Sequence, residues 1–243
     1  MEKIDFFGDR IFYEVTDLKN DSSLLRAAQA CIDLHRAEEK EALNHYQADP
    51  SALEKVSEGA LTQILSTEDI VNGIVTSPEI SNCLTFNIDN VKDSLARESI
   101  HLIRTELDKV VRIKVRKLFR LSHELSVTKS GHFMYPPGGF MSWHTNYKSP
   151  GWRLYINYVE EPGKSFFRYR DPETGKVITS IDQQWNFRLF KIDAQKPFWH
   201  AVYSNTNRYS FGFRIAIDWD APLYKRAWFR GRRLLNSVLT GNG

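Results

Sequence analysis

Two histidines stand where packing alone gives no reason for them. His144 lies in Met141-Ser142-Trp143-His144-Thr145-Asn146, just past a glycine-rich turn, and His200 lies in Phe198-Trp199-His200-Ala201-Val202-Tyr203. Both segments have the aromatic and β-branched content of strands. A single histidine in such a strand reads as a hydrogen-bonded core residue, but two imidazoles converging on one cavity can coordinate a divalent transition metal. His144 and Asn146 are two positions apart, so strand alternation would put both side chains on one face and offer the Asn146 amide oxygen as a further donor.

A third element follows closely. In Asn207-Arg208-Tyr209-Ser210-Phe211-Gly212-Phe213-Arg214-Ile215 the chain alternates, with Arg208, Ser210, Gly212 and Arg214 on one face and the aromatic and branched residues on the other. The aromatic face must be packed, so the opposite face looks inward with two guanidinium groups. Buried charges are costly unless paired, and a dicarboxylate would satisfy both arginines and the Ser210 hydroxyl. The alternative is that Arg208 and Arg214 pair with internal acids or lie on an exposed strand face.

The elements that must position these residues fall into two halves. From about Asp21 to Arg120 the sequence reads as helices: Leu24, Leu25, Ala28, Cys31, Ile32 and Leu34 recur at spacings of three and four behind the capping cluster Asn20-Asp21-Ser22-Ser23. A second helix is expected from Ser51 through Leu65, and a longer one follows Asp89-Asn90 with Leu95, Leu102, Leu107, Val110 and Val111 in its apolar stripe. After this the texture becomes short aromatic and β-branched segments from Ser126 onward, separated by Pro136-Pro137-Gly138-Gly139, Ser149-Pro150-Gly151 and Glu161-Pro162-Gly163. Arg168-Tyr169-Arg170 and Val177-Ile178-Thr179 flank Asp171-Pro172-Glu173-Thr174-Gly175 as a hairpin. Many short strands with tight turns fit a barrel or jelly roll.

In this order and spacing the residues resemble the iron(II)/2-oxoglutarate oxygenases, whose His-x-Asp/Glu, distal His and Arg-x-Ser elements look like His144-Thr145-Asn146, His200 and Arg208-Tyr209-Ser210. The run from Arg208 to Arg214 is also similar to the strand of the alkylation-repair demethylases in which two arginines contact the two ends of 2-oxoglutarate. Tyr135-Pro136-Pro137-Gly138 resembles the tyrosine-bearing turn of those enzymes. The likeness covers roughly residues 126–217. It implies an α+β architecture, a double-stranded β-helix (jelly roll) whose sheet is supported by a helical N-terminal half. The implied organisation is a helical region over 1–120, a catalytic core over 121–222 and a basic tail over 223–243, all one globular unit. It further implies Fe(II) held by His144, Asn146 and His200, with Arg208, Ser210, Arg214 and Tyr135 binding 2-oxoglutarate. The implied reaction consumes O2, releases succinate and CO2, and hydroxylates a small molecule or an amino-acid side chain.

Asn146 departs from the pattern, which expects a carboxylate. A neutral amide oxygen binds a hard cation more weakly and leaves the site one negative charge short. Asn146 ligates weakly, or leaves a vacancy for water or halide as in halogenating members of the superfamily, or marks a catalytically dead site, in that order of preference. Asp193 and Asp182 are the nearest other carboxylates in sequence. Trp143, Tyr147, Lys148, Trp152 and Arg153 flank the first histidine and are expected to line the substrate site.

Composition narrows the partners. Hydrophobic content of 42% against 26% charged residues suits a chain of 243 residues that buries a core rather than a disordered one. With 33 basic and 30 acidic residues the net charge is only +3, so nucleic acid is permitted but not favoured, even with the basic aromatic stretch Tyr224 to Leu239. That stretch reads first as a surface helix packed on the domain. A nucleic-acid demethylase and a non-catalytic jelly-roll binding protein stand as alternatives. Cys31 and Cys83 match no disulfide framework or zinc pattern and are expected to be buried packing residues in a reducing compartment. The opening MEKIDFFGDR carries acids and no long apolar run, so no secretory or membrane segment is expected and the expected location is cytoplasmic.

Overall fold

The computed structural model describes residues 3–38, 40–67, 70–71, 74–75, 80–85, 94–121, 125–193 and 196–217. The expected basic tail lies outside the described residues. The N-terminal region begins with strand β1 (Phe12–Glu14) and helix α1 (Ser22–Glu38). Asp21 starts α1, its carboxylate accepting the Leu24 N–H at 3.1 Å and the Ser23 hydroxyl at 2.7 Å. Helices α2 (Lys40–His45), α3 (Ala52–Lys55) and α4 (Glu58–Ser66) follow. The single helix expected over Ser51–Leu65 is thus two. Ser57 turns extended at ψ 163° and caps α4 by accepting the Ala60 N–H at 3.1 Å, which ends the helix before it.

Next come β2 (Ile70–Val71) and β3 (Ile74–Val75), which pair with each other, then β4 (Ser81–Asn82), β5 (Leu84–Thr85) and the long α5 (Ser94–Leu118). The region over 1–120 is therefore not purely helical. Three of its strands become sheet edges, and two-residue strands are too short to carry a readable period.

The remaining strands are β6 (Leu125–Tyr135), β7 (Gly139–His144), β8 (Gly151–Val159), β9 (Ser165–Arg170), β10 (Val177–Ile181), β11 (Trp185–Ile192), β12 (His200–Ser204) and β13 (Arg208–Ile217). They form two sheets, β1-β11-β8-β13-β6-β5 and β10-β9-β12-β7-β4, with every pairing antiparallel. From β6 to β13 the chain passes back and forth between the sheets, staying in one only at the β9–β10 hairpin. This is the eight-stranded jelly roll, or double-stranded β-helix. Gly175 closes the hairpin at φ +71°, a conformation that an L side chain resists, and its N–H donates to the Asp171 carbonyl at 2.8 Å.

Strand alternation sorts the side chains into three packed layers. Leu154, Ile156, Tyr209, Phe211 and Phe213 point out of the six-stranded sheet into α1 and α5, where they meet Leu24, Ala28, Leu107 and Val111. Between the sheets lie Tyr135, Met141, Phe167, Tyr169, Phe190 and Phe198. On the outer face of the five-stranded sheet, Phe140, Trp143, Trp199 and Ala201 pack under Ala52, Val56 and Leu61 of the α3–α4 segment. Cys31 is buried in the first layer, while Cys83 is only half-buried, and neither is in a disulfide.

The seam between helices and sheet also holds His132, whose ring lies edge-on to Phe211 and Phe213 at 5.3 and 5.5 Å. Burial, reinforced by the charges of Arg104 and Lys129 and by His35, holds its pKa down to about 3. Because the folded value lies below the unfolded one, this histidine contributes stability above pH ~6.5 that is lost as pH falls toward 3. We expect about 1.4 kcal/mol of stability to go per pH unit below ~6.5 on its account. Urea denaturation at pH 6.5 and 5 should show this, and His132→Phe should flatten the slope; an unchanged slope in that variant would refute the assignment.

Candidate metal centre and arginine clusters

β7 ends and β12 begins at the same level, which makes His144 and His200 register partners. Their rings lie 4.1 Å apart between centroids at an angle of 51°, and both are almost wholly buried. The reason is local. Trp143 and Trp199, each immediately before its histidine, are buried on the outer face of the sheet, and alternation turns the next side chain inward. Trp143 is fixed there by its indole N–H, which donates to the Ser57 carbonyl at 2.8 Å.

Each imidazole is oriented by its own strand. His144 Nδ1 lies 2.7 Å from the Ser142 carbonyl oxygen and His200 Nδ1 lies 2.9 Å from that of Phe198. A carbonyl can only accept, so Nδ1 carries a proton in both rings, and Nε2 is the nitrogen left to hold a metal. His200 is held well below the usual histidine range, first by burial and then by His144 beside it. Phe190, Phe198 and Phe167 surround its ring at 5.1, 5.6 and 5.7 Å. The two rings thus lie side by side over an aromatic floor, with His200 held neutral.

Asn146 reaches this pair by a route other than strand alternation. The strand has ended at His144, and Asn146 adopts φ +55°, the only non-glycine residue at positive φ among those described. The Ser149 N–H donates to its carbonyl at 3.0 Å, closing a turn, and the side-chain Nδ2 comes to 3.3 Å from His200 Nε2. Asparagine tolerates this conformation better than most residues, and backbone strain of this kind collects at functional sites. Rotation of the amide exchanges its nitrogen and oxygen, so the same side chain can present either to the site.

No carboxylate completes the set among the described residues. Among the described residues no group of three His, Cys, Asp or Glu side chains converges, so neither Asp193 nor Asp182 joins the two histidines. Asp182 has another partner. It is fully buried and accepts from Arg188 Nη1 at 2.5 Å, from Arg208 Nε at 2.8 Å and from the Ser165 hydroxyl at 2.6 Å. Burial pushes its carboxyl up, but Arg208, Arg188 and Ser165 more than offset this and hold it at about 2. Sequence reasoning missed Arg188. The alternation of Arg188, Phe190 and Ile192 along β11 carried that signal.

Arg208 therefore faces an acid of its own chain. Two guanidinium groups share one carboxylate, which leaves the cluster one net positive charge, and Arg208 Nη1 has no partner among the described residues. The Arg208 guanidinium also lies over the Tyr135 ring at 5.2 Å, and the Ser210 hydroxyl donates to Asn157 Oδ1 at 2.8 Å. Arg214 is elsewhere: half-buried, it donates from Nε to the Pro150 carbonyl at 3.1 Å. It stands six residues from Arg208, about 20 Å along an extended strand. The two arginines thus have separate partners in this structure, Arg208 turning to Asp182 and Arg214 to the loop before β8.

The expected lining residues also divide. Trp143 and Trp152 face away from the interior, Trp152 packing on Phe6 and Phe119 beneath the N-terminal segment. Tyr147 is half-buried and Lys148 exposed, with the Lys148 ammonium 5.8 Å from the Tyr147 ring centre. Arg153 alone of these is buried on the interior side of its strand, next to Tyr155 and opposite Arg214.

No family model matches this sequence, and no curated protein does. Solved structures do align with the chain. A prolyl hydroxylase from Trichoplax adhaerens, in complex with a peptide of the hypoxia-inducible-factor oxygen degradation domain, aligns over 86% of this chain and 84% of its own at 14% identity and TM-score 0.43. The dioxygenase for auxin oxidation 1 from Arabidopsis thaliana, in complex with 2-oxoglutarate, aligns over 87% and 85% at 13% identity and TM-score 0.40. The collagen prolyl hydroxylase of Paramecium bursaria Chlorella virus-1, also with 2-oxoglutarate, aligns over 85% and 96% at 11% identity and TM-score 0.41. The fold and the site stand on their own geometry.

Proposed function

We propose that this chain is an iron(II)- and 2-oxoglutarate-dependent oxygenase that hydroxylates a small molecule or an amino-acid side chain. The observation that carries the reading is the His144–His200 pair, two inward imidazoles whose Nδ1 atoms are held by backbone carbonyls, with the Asn146 amide beside them. Two neutral nitrogens and an amide oxygen suit a first-row divalent metal, though they lack the negative charge of a carboxylate. His144, His200 and Asn146 would hold Fe(II). Arg208, with its open Nη1 and the surplus charge of its cluster, would take the distal carboxylate of 2-oxoglutarate, flanked by Tyr135 and Ser210.

When bound, iron and 2-oxoglutarate supply the redox chemistry: O2 is divided between succinate, formed with CO2 from 2-oxoglutarate, and the hydroxyl group placed on the substrate. The residues of the chain do the rest. The imidazoles keep their tautomers without an external base, and Phe167, Phe190 and Phe198 keep water from the His200 side. Among the described residues no helix is long and apolar enough to cross a membrane. Cys31 and Cys83, neither in a disulfide, suit a reducing compartment such as the cytoplasm.

The test is anaerobic loading with Fe(II) followed by 2-oxoglutarate, ascorbate and O2, with succinate measured. Slow succinate release without substrate is the expected result, and failure to bind 2-oxoglutarate at millimolar concentration would overturn the proposal. Asn146→Asp should tighten Fe(II) binding about tenfold or more, because an anionic oxygen of the same size replaces a neutral one. Aspartate also tolerates φ +55°, so the turn is kept. Affinity unchanged by Asn146→Asp would show that the amide is not a ligand.

A further inference from the structure

The Arg153 guanidinium is the most demanding charge in the interior that the proposed chemistry leaves unused. The residue is 2% exposed. Its Nη1 donates to the Trp152 carbonyl at 3.3 Å and its Nη2 to that of Ser149 at 2.5 Å, while its Nε has no partner. No carboxylate among the described residues reaches it. Its cross-strand neighbour is a second cation, Arg214, in direct register on β13. Burial first, and then Arg214, bring its pKa down to about 10, so it remains charged at neutral pH. A buried cation facing another cation, with an open N–H, is a site shaped for an anion.

Its position says which anion. Arg153 lies at the end of β8 that follows the Asn146 turn, in register with Phe190 of β11, whose ring centre is 5.1 Å from that of His200. The Arg188–Asp182–Arg208 cluster lies toward the other end of the same interior. Asp182 bonds Ser165, four residues along β9 from Tyr169, the register partner of His200, which is about 13 Å of strand. The interior thus holds two cationic sites, one remote from the histidines and one beside them.

We propose that Arg153, with Arg214 at its side, binds a carboxylate of the substrate itself, so that the oxygenase acts on an organic acid. This rests on the reading of the site as a 2-oxoglutarate oxygenase, in which the remote cluster already serves the cosubstrate. The open guanidinium Nε takes one carboxylate oxygen, and its charge is neutralised only when the acid arrives. A neutral analogue of the same shape leaves the cation unpaired and is rejected.

The test uses acetate as the probe carboxylate and acetamide as its neutral match, at constant ionic strength. Thermal midpoints are followed for the wild-type chain, Arg153→Gln and Arg208→Gln. Glutamine at 153 keeps an amide donor for the Ser149 carbonyl. Acetate, but not acetamide, should raise the wild-type midpoint both in metal-free protein and in protein saturated with Mn(II) and 2-oxoglutarate. Arg153→Gln should weaken acetate about tenfold or more while leaving 2-oxoglutarate affinity within about twofold, and Arg208→Gln should do the reverse. If saturating 2-oxoglutarate abolishes the acetate effect and Arg153→Gln weakens 2-oxoglutarate tenfold, Arg153 serves the cosubstrate and the proposal is overturned. If acetate has no effect on the wild type and Arg153→Gln simply lowers the midpoint, Arg153 is a staple of the β7–β8 loop and the proposal again fails. Were 2-oxoglutarate not to bind at all while metal-free protein still showed the Arg153-dependent acetate effect, the oxygenase reading would fall and the carboxylate site would stand.

Discussion

His144→Ala or His200→Ala is expected to abolish Fe(II) binding while leaving the chain folded. Each ring supplies one of only two nitrogen donors, and no carboxylate stands by to compensate among the described residues. Altering a group that merely orients a ligand costs about 10–100-fold in metal affinity, so deleting the ligand should cost more than about 100-fold. The His200 ring is held uncharged by burial, and the hydrogen bonds of the two rings to Ser142, Phe198 and Asn146 are all to neutral groups. Optical titration of Co(II) into each variant, with circular dichroism for the fold, reads the two effects separately. Wild-type metal affinity in either variant would show that the pair is a packed core feature.

Asp182→Asn should produce the largest loss of stability in the molecule. The carboxylate is 0% exposed and lies between two guanidinium groups that are themselves buried. Its neutralisation leaves two facing cations without a counter-charge, a change that costs about 3–5 kcal/mol and lowers the melting point of a chain this size by about 10 °C. Arg208→Gln added to Asp182→Asn should restore part of the loss, because the remaining cation no longer faces a second one. The acid dependence follows the same logic with the opposite group. The Asp182 carboxyl is held at about 2, so its contribution is complete above the ordinary carboxylate range near 3.9 and disappears as pH falls from there toward 2. That window lies below most of the one in which His132 acts. A denaturation free energy for Asp182→Asn within about 1 kcal/mol of the parent would show that the cluster is not a buried ion group.

The strands were legible because their faces differ in kind. In β13 the alternation of Arg208, Ser210 and Gly212 with Tyr209, Phe211 and Phe213 shows both faces at once, and the Asp171–Gly175 turn announces its hairpin. The histidines were legible for a related reason, as polar residues in apolar strands. What was hidden lies in contacts between distant segments. Nothing around Asp182 marks it as the partner of Arg208, since its burial depends on the fold of the β9–β10 hairpin over β11 and β13. The same alternation, applied to β8, would have turned Trp152 outward with Leu154 and Ile156 and left Arg153 inside. Asn146 was reached through alternation, yet a left-handed turn carries it to His200.

The two Trp-His steps have a spectroscopic consequence. Trp143 and Trp199 each share a backbone junction with one histidine, and both sit in the layer beneath α3 and α4. Any shift of either imidazole on loading must pass through a peptide unit that also carries an indole emitter. Two natural fluorophores therefore flank the centre from the dry side, out of contact with whatever enters the interior. Their emission should report occupancy without a label, and the Ser57 carbonyl on Trp143 gives that signal a way to register packing changes in the helical cover.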